Sequence, residues 1–202
     1  ELKLPDMTTA QSEYEAKCPA PPVDLIFMEN HDISTDDWEK RFDRVHPVEF
    51  GNAFFAATFL FRGIPVVYNG NEIADNALMS FFGPVEDPRR AFKTVDWARA
   101  LQPEGRKRLG LLRKLSGIRH SVPAFSSGSM EFAGTSAPER ILAFVRTAPD
   151  GSKFLVAVNT TDAEVKFTAD FEPAGEPVLC ENVSIGSVWT AGPYGFAAVP
   201  VK

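Results

Sequence analysis

Long apolar runs are scarce in this 202-residue sequence. Arg62 ends the longest of them before it reaches the roughly 18 residues that a membrane-spanning helix needs, so no such span is expected. Basic clusters are equally sparse: 21 Lys and Arg face 27 Asp and Glu, the formal charge is -6, and no basic block exceeds Arg106-Lys107-Arg108. Nucleic acids and anionic membranes are held through concentrated positive fields, so neither is an expected partner. There are only two cysteines, Cys18 and Cys180, and three histidines, His31, His46 and His120, and their spacing fits no metal-ligand motif. Whether the two cysteines pair is left open. The Gly-x-Gly-x-x-Gly pattern of a phosphate cradle is missing too, and no cofactor-binding pattern is evident. What these absences leave is a globular chain, 44% hydrophobic, with enough length for one large or two small domains.

The most informative stretch runs from Val23 to Gly70. Val23-Asp24-Leu25-Ile26-Phe27-Met28 reads as a buried strand that stops at the polar run Glu29-Asn30-His31-Asp32. A helix-length segment follows, Phe50 to Phe61, rich in alanine and aromatics, with Pro47 and Glu49 suited to its first turn. Gly63 is suited to a left-handed cap, and Ile64-Pro65-Val66-Val67-Tyr68 reads as a second strand. Strand, helical crossover and strand make a right-handed parallel unit. Sites in parallel sheets form at the carboxyl ends of strands, which brings Asn30, His31, Asp32 and the Asn69 to Glu72 segment to one rim.

The flanks read more simply. Residues 1 to 22 are polar and close on Pro19, Pro21 and Pro22, so they are expected to form a lead-in loop with at most a helical fragment around Thr8 to Ala16. Between the rim and Pro47, Ser34 or Thr35 is expected to cap a short helix carrying Asp36, Asp37, Trp38 and Phe42. Asn69 to Gln102 has little periodicity and many turn formers, which marks a long functional loop. From Pro103 to Arg119, Leu111, Leu112, Leu115 and Ile118 fall on one helical stripe, and Arg106, Lys107, Arg108, Arg113 and Lys114 are expected on the solvated face. Pro123 ends that helix. From Ser129 the hydrophobic period becomes two, with six short strands and an Asp150-Gly151 hairpin turn. The expected division is therefore 1–125 for the α/β part and 126–202 for a small antiparallel β domain.

These motifs, in this order, resemble the carboxyl-terminal part of the alpha-amylase family of glycoside hydrolases. Phe27-Met28-Glu29-Asn30-His31-Asp32 looks like the family segment that ends the seventh barrel strand, and Gly63 to Glu72 looks like its eighth strand and following turn. The Arg140 to Asn159 pair and the Gly192 to Val201 strand resemble the β-sandwich after the barrel. Asn71 stands where Gln is commoner, and Ile33-Ser34-Thr35 replaces the usual Thr/Gln-Pro-Arg. The resemblance implies the last two strand-helix units of a (β/α)8 TIM barrel followed by an antiparallel β-sandwich, from a retaining enzyme acting on alpha-glucans or related carbohydrate.

The same resemblance implies that Asp32 is a sugar-binding, transition-state-stabilising carboxylate rather than the nucleophile. His31 would hydrogen-bond beside it, Asn30 would buttress the turn, and Tyr68 would line the pocket. The nucleophilic Asp and the acid/base Glu would lie upstream of Glu1, and retaining hydrolysis needs two carboxyls about 5 to 5.5 Å apart. The 202-residue chain alone is accordingly expected to be inactive, its open strands covered by the missing barrel portion or by self-association. Plainer roles compete: Asp32 as a turn cap, His31 as a half-buried hydrogen-bonding residue, Tyr68 as a bridge between core and solvent. Trp38, Trp97 and Trp189 could stack on sugars, but tryptophans pack in cores more often than on sugar platforms, so they are left out of the site. Two rival functions are a non-catalytic amylase-like scaffold for protein association and a carbohydrate-binding module whose sandwich holds the sugar.

Overall fold

A computed structural model describes residues 3–20, 23–36, 41–77 and 95–202. The expected parallel pair is present, but its first strand is shorter than expected and is not buried, since Leu25 and Phe27 are exposed. Strand β1 (Leu25–Phe27) lies beside β2 (Ile64–Val66), with Leu25 opposite Ile64 and Phe27 opposite Val66. The crossover between them holds α2 (His31–Asp36), α3 (Phe42–Val45) and α4 (Val48–Leu60), the last entered through Pro47 in extended backbone. Gly63 is not the expected helix cap, because α4 ends at Leu60 with Phe61 as its cap in extended backbone. The φ of Gly63 is 112°, and a β-carbon there would overlap the Asp24 carbonyl of the neighbouring strand, so the close approach that starts β2 requires glycine.

Three further readings of the sequence need correcting. Residues Leu4–Lys17 form a helix, α1, with no buried residue, so its polar composition disguised it as a loop. The short helix after the rim begins at His31, ahead of the expected cap positions 34 and 35, and Asn30 accepts a backbone N–H of its first turn; Asp37 and Trp38 lie outside the described residues. Arg108 is wholly buried rather than solvated. The rest of that helix, α5 (Pro103–Ser121), follows the expected stripe: Leu111, Leu112, Leu115 and Ile118 are buried against α4. Pro123 opens the single-turn α6 (Pro123–Ser126). Within the long aperiodic segment, Asn71–Ile73 and Trp97–Leu101 are 3₁₀ turns, and 78–94 lie outside the described residues.

The six period-two segments form one antiparallel sheet: β3 (Ser129–Phe132), β4 (Ile141–Thr147), β5 (Lys153–Asn159), β6 (Val165–Phe167), β7 (Leu179–Ser184) and β8 (Trp189–Val201). Its order is β3-β4-β5-β8-β6, with β7 also on β8. The sheet curls, because β8 pairs through its second half with β5 and through its first with β6. Both faces are buried. Phe144, Val156, Val158, Phe196 and Ala198 join the core made by α4 and α5, while the alternate residues Ala143, Leu155, Ala157, Ala197 and Val199 pack with Phe167 and Trp189 in a second core. Arg146 ties the sheet to the helices: from β4 it donates to the carbonyls of Leu60, Gly128 and Ser129 at 3.1, 2.9 and 3.2 Å. Burial, and then the nearby charges of Arg119 and Arg62, push its pKa down to about 10. Cys18 and Cys180 are unlinked.

Candidate functional site at the carboxyl ends of the parallel strands

Strand β1 gives way to the polar run at a buried pivot. Met28 and Glu29 are both buried, and the next three side chains emerge at the rim. Asn30 Oδ1 accepts the Ile33 N–H at 3.1 Å, which fixes the first turn of α2, and its Nδ2 lies 3.4 Å from Asp32 Oδ2. His31 Nε2 is 3.2 Å from Asp32 Oδ1, with side chains 65% and 66% exposed. The structure thus brings Asn30, His31 and Asp32 together as an open cluster of acceptor and donor groups. Such a cluster is suited to the hydroxyls of a polar ligand. Tyr68 stands two residues beyond Val66, the register partner of Phe27, and so at the same end of the sheet, half-buried. Nearby, Glu72 Oε2 accepts the Gly70 N–H at 2.8 Å.

Beneath the rim lies a buried polar network that the sequence did not advertise. Glu29 Oε1 accepts from Arg41 Nε at 3.1 Å and from Asn71 Nδ2 at 2.8 Å, and its Oε2 accepts the Phe42 N–H at 2.9 Å. Arg41 Nη1 also donates to Asp75 Oδ2 at 3.0 Å and to the Ala77 carbonyl at 2.9 Å. One carboxylate therefore joins the loop after β1 to α3 and to the loop after β2. Next to it, Arg108 grips Asp43 with two bonds of 2.8 and 3.2 Å and reaches Asn52 Oδ1 and the carbonyls of Asn71 and Val48. A methyl group at Gly51 would press on the Arg108 guanidinium and the Asp43 carboxylate, so a larger residue there would have to displace this pair. Burial raises the Asp43 carboxyl above its ordinary value, against the opposing pull of Arg108. The one advance signal for this network was the single acid between two arginines in Arg41-Phe42-Asp43-Arg44, which periodicity alone could not pair with distant partners.

Among the described residues, no group of three or more His, Cys, Asp or Glu side chains could hold a metal ion. No described helix is long and apolar enough to cross a membrane.

No protein-family model matches this chain, and no curated protein sequence does. Solved structures do match its fold. Trehalulose synthase MutB from Pseudomonas mesoacidophila MX-45 superposes with a TM-score of 0.72 at 18% identity, covering 100% of this chain and 47% of that one. A MutB mutant in complex with glucose matches at 19% with a TM-score of 0.72, and another in complex with its substrate sucrose at 19% and 0.69. The chain shares the fold of this half of MutB and spans about half its length: a partial α/β barrel with an attached antiparallel sheet.

Proposed function

We propose that this chain is the carboxyl-terminal half of an amylase-like retaining glycoside hydrolase acting on alpha-glucans or related alpha-glucosides. Its curled sheet is the sandwich domain, with the division at 125/126, and its two parallel strands are the last two of the barrel. One observation carries the reading: Asn30-His31-Asp32 stands at the carboxyl end of a parallel strand in a chain whose whole length fits half of trehalulose synthase, a protein crystallised with glucose and with sucrose. The other barrel half supplies the nucleophile and the acid/base carboxyl. Asp32 accepts hydroxyls of the reacting ring, His31 bonds beside it, Asn30 holds the turn, and Tyr68 lines the pocket.

A carboxylate at this place acts mainly in the transition state, where the flattened ring holds its hydroxyls closer and shares positive charge. Asp32→Asn keeps size and removes charge. If the charge-assisted bonds are worth about 3 kcal/mol more in the transition state, turnover of the enzyme containing this chain falls about 10²-fold or more, with ground-state affinity nearly unchanged. Steady-state kinetics paired with melting curves test this. Unchanged turnover with a raised Michaelis constant would place Asp32 in uniform binding, and a collapsed melting temperature would reduce it to a turn cap.

A further inference from the structure

We infer that Glu29 and Arg41 are positioning residues: through the buried bridge beneath the rim they set the placement of Asn30, His31 and Asp32, an inference that rests on the function proposed for that rim. Glu29 is covalently next to Asn30, and its side chain runs inward while the following three emerge. Its carboxylate accepts three hydrogen bonds from two separate segments: Arg41 and the Phe42 backbone at the start of α3, and Asn71 after β2. Arg41 carries the linkage on to Asp75 and Ala77. A buried carboxylate held by a guanidinium and two amides has few alternative positions, because each move strands a charge or a donor away from water. The peptide that carries Asn30 therefore inherits its place from Glu29. The arrangement also couples the two loops of the rim, since the segments after β1 and β2 meet on one oxygen of Glu29.

The experiment uses Glu29→Gln, Arg41→Leu, Arg41→Lys and Asn71→Ala. Asn71→Ala removes one neutral donor and leaves both charges of the bridge paired, so it remains informative where the charge variants do not fold. Arg146→Met serves as the control for lost stability, because that buried arginine bonds carbonyls at Leu60, Gly128 and Ser129 rather than the rim. Two readouts are taken well below each melting temperature: turnover and Michaelis constant of the enzyme containing this chain, and the imidazole proton resonances of His31 in the 202-residue chain. With three histidines in the sequence, His31→Ala assigns those resonances directly.

Glu29→Gln and Arg41→Leu are expected to lower turnover at least tenfold with the Michaelis constant within about threefold. Asn71→Ala should lower it less, and Arg41→Lys should recover part of the Arg41→Leu loss by keeping one charge. The His31 resonances should move in all four and stay put in Arg146→Met. Folded variants with wild-type turnover and unmoved His31 resonances would overturn the inference, as would equal turnover losses in Arg146→Met. A wild-type enzyme inactive on alpha-glucosides would overturn the proposed function instead, and the His31 resonances would still decide the bridge.

Discussion

Asp43 shows how burial changes the behaviour of a single carboxyl. Because burial raises its pKa in the fold, the folded state takes up a proton at a pH where the unfolded chain, at an ordinary value near 3.8, does not. Stability from this residue therefore increases as pH falls from the raised value toward the ordinary one, opposite to the usual ion-paired aspartate. Arg108 keeps Asn52, Val48 and Asn71 as acceptors, so Asp43→Asn should cost about 1 to 2 kcal/mol at neutral pH rather than the 3 to 5 typical of a stripped buried pair. The wild type should then gain on the variant as the medium is acidified toward pH ~4, read by urea unfolding across pH. None of this could be read from Arg108 in its sequence setting. Three cations in a row on a helix look solvated, and the partner that buries the third lies 65 positions earlier. Asn30, His31 and Asp32, by contrast, were legible as a group, because an apolar strand ending in polar residues needs no distant partner to be recognised.

Among the elements, those with one strong period were legible and those without it were not. The leucine stripe of α5 and the alternation in β4 and β5 each report a buried face directly. Helix α1 buries nothing, so no stripe announced it. The carboxyl end of α4 was similarly opaque, although two other elements anchor it. Arg119 from α5 bonds the carbonyls of Phe59, Phe61 and Gly63, and Arg146 from β4 bonds that of Leu60. Two guanidinium groups thus satisfy carbonyls that the helix itself cannot, and they complement its negative end. Arg146→Met preserves bulk but leaves three carbonyls without this donor, and should destabilise the chain by about 2 to 4 kcal/mol in urea unfolding. Arg146→Lys should recover less than half of that, since an ammonium cannot span three acceptors spread over a fork.

At the scale of the whole molecule, the parallel pair has one face on α4 and one face open. Val23, Leu25, Phe27 and Ile64 are 74%, 62%, 38% and 49% exposed, and Leu25 and Ile64 stand side by side in register. In the proposed enzyme the other barrel half covers this surface. Expressed by itself, the chain should cover it with a second copy, giving concentration-dependent sedimentation that Leu25→Lys suppresses. The strand β8 has a different consequence, one of timing. It is the last strand of the sheet in chain order, yet β5, β6 and β7 all pair with it, and its Phe196 and Ala198 fill the core shared with the helices. A ribosome must therefore release residues 189–201 before the sheet can close. Until then β6 and β7 wait without their common neighbour, exposed to chaperones, and the helical half waits with them, its core unfinished until synthesis has passed the end of that strand.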